Sequence, residues 1–511
     1  METKNNCEVC SNPAKQFCSS CKAVFYCSKE CQKQDWKIHK GKCKPFTVQN
    51  HALYGRYLVA SREIKQGEIL MKEPVTLLGP RNRTVPVCLG CHKKITGSYK
   101  CSKCQFPMCA SYCEVSQNHK AECALLSKVA GRIKINDFDS PSPAYECITP
   151  LRVLLKKESA PDKWKSINSL QSNEKALNKS SHMYAIKNNT VNFIREFVGW
   201  KEASEEDIIR ACGILITNAI ELEHNGQKVR GLYPMAAMMA HDCVPNTKHV
   251  FDDDLNMIVR ATTAIPKGEA ITMTYTDTLH HSLSRRKNLM SSKFVNCLCK
   301  RCSDKTELGT NLSTLLCVDC QNHVKSVDPL DPDARWSCDK CQHTIRGKDV
   351  RWGDNALYKE LRNLDNTSVQ PLEEFVDAYK KTLHPQHRFL VEGKYGLIKL
   401  YGTVIRYCDM SREQLESKVK YCRELLKIAS AIAPGMSLLR GTLLFELQAG
   451  LVAVAKYLIS NELVSKDQAQ EYMTEAMKHL QEATVILKHE PEMEKGGIDQ
   501  MLKKLQDELD M

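Results

Sequence analysis

Short alternating apolar segments occur in two parts of the chain that lie far apart. The first runs from Gly55 to Val75 (GRYLVASREIKQGEILMKEPV) and ends in turn-forming residues, as short strands do. The second runs from Met257 to Tyr275 (MIVRATTAIPKGEAITMTY) and repeats the pattern. We therefore predict one small β unit whose two halves are distant in the sequence.

Helical periodicity occupies most of the remaining chain. A polar stretch from about Leu151 to Glu223 predicts helices that interrupt the β unit. Helical patterns also dominate from about Asp354 onward, where Ser411-x-x-Gln414 has the form of a capping box. One helical face is predicted to carry Leu397, Leu400, Tyr401, Val404 and Ile405. The C-terminal part is thus expected to be all-α, either as a packing domain or with a peptide-binding concavity.

The length and the cysteine count limit the class of protein. A chain of 511 residues exceeds what one hydrophobic core usually serves, so two or more compact units are expected. We find no signal peptide and no stretch of membrane-spanning length, and we expect a protein that is neither secreted nor spanning. The 26 cysteines are then more consistent with metal ligands than with disulfides.

The N-terminal cysteines have the spacing of a two-metal zinc finger. Tight pairs of this kind suit tetrahedral zinc, and a spacing of four residues places a His/Cys pair on one helical face. We predict interleaved pairing of the eight ligands. One zinc ion takes Cys7, Cys10, Cys27 and Cys31, and the other takes Cys18, Cys21, His39 and Cys43.

A second array repeats the order, the ligand types and the closing His-x3-Cys of the first. This internal repeat predicts a second two-metal finger. Its ligands are Cys88, Cys91, Cys101, Cys104, Cys109, Cys113, His119 and Cys123.

Two further zinc sites are predicted downstream. Cys297, Cys299 and Cys302 provide three ligands, and Cys243 in AHDCVPN is the candidate for the fourth. A zinc-ribbon spacing follows, with Cys317, Cys320, Cys338 and Cys341 as ligands. The remaining cysteines are predicted to be small buried hydrophobic residues, and they are Cys147, Cys212, Cys408 and Cys422.

The formal charge of +13 gives little support to nucleic-acid binding. Residues 1–130 hold 21 Lys/Arg against 9 Asp/Glu, a local +12. Zinc-bound thiolates subtract charge that this count omits, and full metal loading leaves about +3 overall. A groove-reading helix is also not evident, so direct DNA binding is the weakest functional hypothesis.

The Cys/His arrays and the order of the segments resemble known families. The finger arrays, including DWKIHKGKC, resemble the MYND finger, which implies peptide binding, although a purely structural role stays open. The whole chain resembles the SMYD lysine methyltransferases, whose SET domain is split by a MYND finger and a helical insert. The motifs are GRYLVASREIKQGEI, GLYPMAAMMAHDCVPN, GEAITMTYTD and the post-SET CLCKRC. An extra finger before the SET domain and a ribbon after it resemble the arthropod SmydA group.

This resemblance implies a site that binds S-adenosyl-L-methionine (AdoMet) and a substrate lysine. Tyr275 is the implied catalytic residue, and a neutral hydroxyl can orient an amine for methyl transfer. The implied cofactor residues are Arg56, Asn218, Ala240, His241 and Tyr275, with Asn246 in the same motif as His241. Three positions depart from the family. Ala240 replaces an asparagine, Arg56-Tyr57 replaces Gly-x-Gly, and Val295 replaces a frequent aromatic residue.

The predicted fold class is α+β and multidomain, with a split SET domain, zinc modules and an all-α C-terminal domain. The predicted domains are the first finger (1–45), the N-terminal SET part (50–87), the second finger (88–123), the helical insert (124–225), the SET core (226–295), the post-SET site and ribbon (296–345), and the helical domain (346–511). The expected function is AdoMet-dependent protein-lysine N-methylation, with zinc and AdoMet as cofactors. The alternative is a catalytically weak SET/MYND scaffold that acts as a transcriptional or chromatin co-regulator.

The same resemblance sets expectations for partners and location. A substrate lysine in a protein and peptide motifs bound by the fingers are the expected partners. We expect a monomer that is present in cytoplasm and nucleus, without a membrane partner and without direct nucleic-acid binding.

Overall fold

The computed structural model describes residues 6–18, 24–39, 45–52, 55–365 and 367–490. Short strands dominate its first two thirds, and long helices dominate the rest. The strands are β1 (Gln16–Phe17), β2 (Phe25–Tyr26), β3 (Phe46–His51), β4 (Gly55–Ala60), β5 (Ile69–Glu73), β6 (Leu77–Pro80), β7 (Tyr99–Lys100), β8 (Pro107–Met108), β9 (Ile220–His224), β10 (Gln227–Leu232), β11 (Ala240–His241), β12 (Thr247–Phe251), β13 (Met257–Ala261), β14 (Thr272–Met273), β15 (Leu315–Leu316), β16 (His323–Ser326), β17 (Trp336–Cys338) and β18 (Thr344–Ile345). The α-helices are α1 (Lys29–His39), α2 (Gln117–Leu126), α3 (Ile148–Ser159), α4 (Pro161–Asn168), α5 (Glu174–Leu177), α6 (His182–Ala185), α7 (Glu205–Asn218), α8 (Ser282–Lys293), α9 (Lys300–Ser303), α10 (Gly347–Asn363), α11 (Gln370–Tyr379), α12 (Arg388–Leu400), α13 (Arg412–Ile432), α14 (Leu438–Ser460) and α15 (Lys466–Leu487).

The first finger has a small core of its own. Strands β1 and β2 pair antiparallel, and α1 follows them. Cys7, Cys18 and Tyr26 are its buried apolar residues, and the partly buried side chains around them also belong to the finger. Among the described residues, this core is therefore separate from that of the following β unit.

The two predicted halves of the β unit form shared sheets. From the first half, β5 pairs with β13, which in turn pairs with β12. Likewise β6 pairs with β10, which also pairs with β9. The apolar residues of these strands, such as Leu70, Val229 and Val259, are buried in one core. The structure thus confirms that segments distant in sequence build one β unit.

A parallel pairing brings together two motifs that are distant in the sequence. The short strand β11 lies beside β14, with Ala240 opposite Thr272 and His241 opposite Met273. The loop after β11 is held by Asn246, whose side chain accepts from the backbone N–H of Thr272 and donates to the carbonyl of Ala270, each at 2.8 Å. Tyr275 lies two residues after β14 and so comes to lie beside His241.

The interrupting region is helical, but it ends earlier than the sequence suggests. It contains helices α3 to α7, and two π-helical segments, Ile186–Val191 and Phe193–Phe197, lie between α6 and α7. The prediction that helix extends to Glu223 is wrong, because Ala219 adopts an extended conformation that ends α7. Residues Ile220–His224 form β9 instead of helix, because they pair antiparallel with β10.

A small antiparallel sheet follows the SET region. Its strands pair in the order β15, β16, β17 and β18. Val324 and Trp336 are buried beside the predicted ribbon cysteines. This compact unit connects the post-SET segment with the C-terminal helices.

The C-terminal helices pack around one apolar core. The predicted capping box is confirmed, since Ser411 and Gln414 each accept from the other's backbone N–H at the start of α13. The predicted helical face is correct for Leu397 and Leu400 but wrong for the residues beyond them. Helix α12 ends at Leu400 because Gly402 has φ +95°, a left-handed conformation, and a side chain there would meet the ring of Tyr407.

Two further expectations need correction. Helix α14 is long and apolar enough to cross a membrane by length and composition, contrary to our expectation that no stretch reaches that length. Of its most apolar window 56% is buried inside the protein, as in the core helix of a helical domain. Cys408 is exposed rather than buried, because it lies in the irregular segment after α12.

Candidate zinc centres and candidate active site

The first finger brings together one complete set of predicted ligands. The sulfur atoms of Cys7, Cys10, Cys27 and Cys31 all lie within 4.8 Å of one another. Of the second predicted set, Cys18 and His39 are buried, whereas Cys21 and Cys43 lie outside the described residues. The interleaved pairing predicted from spacing therefore matches the geometry of the set whose four ligands are all described.

The second finger brings its eight predicted ligands together in two groups. Cys88, Cys91, Cys109 and Cys113 form one group, and Cys101, Cys104, His119 and Cys123 form the other. Sulfur atoms are separated by 3.4 Å for Cys91 and Cys109 and by 3.6 Å for Cys101 and Cys123. Four thiolates at a Zn–S distance of 2.3 Å would be about 3.8 Å apart, so the groups fit tetrahedral zinc.

A buried ion pair fixes the histidine ligand of this finger. The Nδ1 atom of His119 lies 3.3 Å from Glu122 Oε1, which leaves Nε2 facing Cys101 and Cys104 at 3.5 Å. Glu122 in turn accepts from Nε and Nη2 of Arg152 at 2.5 and 2.6 Å. A carboxylate behind a histidine ligand sets its tautomer and orientation, as required for metal binding through Nε2.

The same arginine joins the second finger to the SET sheet. Arg152 lies on α3 and donates to the carbonyls of Leu78 in β6 and Leu89 in the finger, both at 2.8 Å. Next to it, His92 and His224 approach each other at 3.1 Å between their Nδ1 atoms. The second finger is thus built into the fold, in contrast to the first.

The post-SET site confirms the geometry expected of a four-cysteine centre. Cys243, Cys297, Cys299 and Cys302 converge, with the sulfur of Cys243 at 3.5 Å from that of Cys302 and 3.9 Å from that of Cys297. The loop after β11 therefore supplies the fourth ligand that the post-SET segment lacks.

Buried charges surround this centre. Arg285 places Nη2 3.5 Å from the sulfur of Cys302 and forms an ion pair with Glu307 at 2.6 Å. Arg301 contacts the same carboxylate at 3.2 Å. Two guanidinium groups against one carboxylate leave a positive balance next to four thiolates, which offsets the negative charge of a tetrathiolate zinc complex.

The ribbon cysteines form the last group. Cys317, Cys320, Cys338 and Cys341 converge, with sulfur separations of 3.5 Å for Cys320 and Cys338 and 3.6 Å for Cys317 and Cys341. Five complete ligand sets are therefore present in the described part of the chain, and each has the chemistry and spacing of a structural zinc site.

The implied catalytic tyrosine lies in a small polar cluster beside the post-SET centre. The hydroxyl of Tyr275 donates to the carbonyl of Met239 at 2.5 Å, and its backbone N–H donates to Nδ1 of His241 at 3.0 Å. Burial raises the pKa of Tyr275 to about 12 and lowers the pKa of His241 to about 4. Both side chains are therefore neutral at pH 7, and the phenol oxygen retains acceptor capacity.

Two other implied cofactor residues, Arg56 and Asn218, contact the segment that follows α4 in the helical insert. Arg56 in β4 donates through Nη2 to the carbonyl of Ser169 at 2.5 Å. Asn218 donates to the carbonyls of Gln171 and Ile214, each at 2.8 Å. The amide hydrogens of Asn218 are thus used to hold α7 against the preceding loop, which argues for a structural role.

One residue at this place was not singled out in the sequence. Asn173 has φ +51° and donates to Oγ1 of Thr217 at 3.2 Å and to the carbonyl of Lys293 at 3.5 Å. The available signal was an asparagine directly before the helical run EKAL, the position of an N-cap. Asn173 therefore marks the point where the insert, α7 and α8 meet.

Helix α8 links the tyrosine cluster with this meeting point. Near its middle, Asn288 donates to Oγ1 of Thr276, next to Tyr275, at 3.3 Å. At its end, Nζ of Lys293 donates to the carbonyl of Ala219 at 3.0 Å, and burial lowers the pKa of Lys293 to about 8. The half-buried Ala240 and Val295 contribute no side-chain hydrogen bond to either part. The candidate site thus contains few charged side chains and several neutral polar groups.

Comparisons with known proteins agree with this architecture. A MYND-finger family model matches residues 7–43, and a SET-domain model matches residues 55–276. The chain is 29% identical over 419 residues to SET domain-containing protein SmydA-8, isoform A, of Drosophila melanogaster, which covers 79% of this chain and 88% of that protein. It is 25% identical over 376 residues to histone-lysine N-methyltransferase SMYD3 of Homo sapiens, with 68% and 84% covered.

A solved structure gives a much weaker likeness. The SET domain of LSMT bound to lysine and AdoHcy covers 93% of this chain and 95% of its own, at 14% identity and a TM-score of 0.31. A score this low supports no argument about the present site. The assignment therefore depends on the two domain matches and on the sequence relatives.

Proposed function

The chain belongs to the proteins that combine a SET domain with a MYND finger, and from this we propose that it is an AdoMet-dependent protein-lysine N-methyltransferase. The observation that carries the proposal is the neutral Tyr275 hydroxyl, held by the Met239 carbonyl beside His241 and the post-SET centre. Relatives of similar length include proteins named lysine methyltransferases. We place the protein in the cytoplasm and nucleus as part of the same proposal.

The residues around Tyr275 suit a reaction that needs positioning and exclusion of water. AdoMet, when bound, supplies an electrophilic methyl group, and the accepting lysine must be a neutral amine. The Tyr275 oxygen can accept a hydrogen bond from that amine while its own proton is held by Met239. His241 fixes the backbone of Tyr275 through Nδ1 and so maintains the position of the ring.

The residues that would hold AdoMet are those where the insert meets the SET core. Arg56, Asn173 and His241 offer polar groups from β4, the insert and β11. The fit is incomplete at Ala240, whose methyl group makes no hydrogen bond. Because one hydrogen bond is missing, we expect Ala240 to weaken the binding of AdoMet by about 1 kcal/mol relative to an asparagine at this position.

The alternative function is a SET/MYND scaffold with weak or no catalysis. One observation favours it specifically. Arg56 extends from β4 to the carbonyl of Ser169, and its long side chain stands where the resemblance to the SMYD family leads us to expect glycine. A scaffold would use the fingers to bind peptide motifs of partner proteins and would not depend on Tyr275.

Substitution of Tyr275 separates the two functions. Tyr275→Phe removes the hydroxyl without changing the ring that packs beside His241. For an enzyme we expect lysine methylation to fall at least a hundredfold, on the order of 3 kcal/mol in the transition state, with AdoMet binding nearly unchanged. As a matched change, Ala240→Asn should tighten AdoMet binding several-fold. A Tyr275→Phe variant that methylates lysine as well as the wild type would exclude this role of the tyrosine.

A further inference from the structure

A cavity lies away from the tyrosine cluster, between the helical insert and the SET sheet. Its volume is about 50 Å³. Its walls come from α7, from the π-helical segment Ile186–Val191 and from β10, and the candidate cofactor residues do not line it. π-helical turns are uncommon and often occur at functional sites. This cavity is therefore a separate candidate binding site.

The floor of the cavity contains a buried guanidinium group. Arg230 in β10 is 8% exposed and donates through Nε to the carbonyl of Pro80 at 3.0 Å. Its Nη2 atom is buried and has no hydrogen-bond partner among the described residues. Burial lowers the pKa of Arg230 to about 10, so the group is still charged at pH 7. A buried cation without a hydrogen-bonded counterpart is costly and calls for an anionic ligand.

The other polar groups limit the size and charge of that ligand. Glu146 also lines the cavity, but its Oε2 atom accepts from Asn189, and it forms no ion pair with Arg230 within the described part of the chain. The carboxylate of Glu146 would repel a bound anion, and this repulsion is stronger for a dianion such as phosphate than for a monoanion. Thr190 and His182 add neutral or polar positions on the wall.

We propose that this cavity binds a small carboxylate monoanion, with the guanidinium of Arg230 as its anchor. A guanidinium can present two N–H groups to one carboxylate, and such charge-assisted bonds are stronger than neutral ones. The apolar side chains of Leu215 and Ile216 would contact the rest of the ligand. This inference is independent of the methyl-transfer proposal, because it uses none of the same residues.

Acetate titration of the full-length, zinc-loaded protein tests the proposal. We expect saturable one-to-one binding measured by calorimetry or by NMR of ¹⁵N-arginine, with a Kd on the order of 1 mM. Phosphate should bind at least tenfold more weakly than acetate. Arg230→Gln should abolish binding, while Arg81→Gln, which removes an exposed arginine paired with Glu221 on the same side of the sheet, should leave it unchanged.

A second variant covers the case in which Arg230→Gln does not fold. Ala185 is exposed and lies at the mouth of the cavity, so Ala185→Trp should block entry without disturbing the buried arginine. We expect acetate binding to be lost in this variant as well. Absence of saturable acetate binding in the wild type, or equal binding in wild type and Ala185→Trp, would overturn the proposal. In that case an ordered water molecule is the partner of Arg230.

Discussion

The buried pair Glu122–Arg152 should determine how strongly the second finger is held in the fold. Arg152→Met removes the guanidinium and leaves Glu122, which is fully buried, without its main partner. Loss of one member of a buried ion pair costs about 3–5 kcal/mol. The carbonyls of Leu78 and Leu89 also lose donors, so we expect the full effect to be at least about 4 kcal/mol.

This loss should be local enough to be measured by hydrogen exchange of the intact protein. Amide protection in α2 and α3 should fall by a factor of about 10³, since each 1.4 kcal/mol is a factor of ten. Zinc should also be released faster to a chelator from the site that contains His119. The matched control is Arg210→Met, because Arg210 pairs with Glu174 in the same insert but both side chains are at least 34% exposed. Equal protection in the two variants would refute the view that Arg152 anchors the finger.

Three further predictions follow from the zinc sites and the charges. Elemental analysis should find about six zinc ions per chain, two in each finger, one post-SET and one in the ribbon, and a value near two would mean that only one finger binds metal and that the repeat interpretation is wrong. Deletion of residues 1–45 should leave a folded remainder with a cooperative melting transition, because the apolar cluster of the first finger consists only of finger residues in the described chain; aggregation of the truncated protein would contradict this. Burial alone would raise the pKa of Asp354, but the charge of His281, 2.5 Å away, lowers this pKa to about 2. The ionised carboxylate therefore stabilises the fold by about 2 kcal/mol above pH 4, and this contribution is lost as the pH falls towards 2. Asp354→Asn should therefore reduce the free energy of unfolding at pH 7 and have little effect near pH 2, and a loss that does not depend on pH would refute the assignment.

The zinc ligands could be predicted because their spacing is local. Pairs such as Cys88 and Cys91 lie within one turn, and the repeat of the array defines how the pairs combine. Cys243 is harder to predict as a ligand, because it is 54 residues from Cys297. Its only signal is that the three cysteines of the post-SET segment need a fourth ligand. The joining of the two β halves was predictable for a similar reason, because each half shows a clear alternation.

The features that could not be predicted depend on contacts between residues far apart in the chain. A single sequence gives little indication of such contacts. Arg152 and Glu122 are separated by 30 residues and lie on different helices, so neither suggests the other. Strand β9 was hidden in a polar stretch because IELEH takes its conformation from pairing with β10. The end of α12 depends on one glycine with a left-handed conformation, and the buried Arg230 looks like an ordinary strand residue.

Methyl transfer to lysine is the activity that we propose for this chain. The most direct test is transfer of a labelled methyl group from AdoMet to lysine in a panel of proteins or peptides, with fully zinc-loaded protein and with Tyr275→Phe in parallel. AdoMet binding to both proteins is measured by calorimetry in the same preparation. We expect labelled lysine with the wild type, little or none with Tyr275→Phe, and similar AdoMet affinity for both. Absence of AdoMet binding by the fully metallated wild type at millimolar concentration would contradict the enzyme and leave the scaffold.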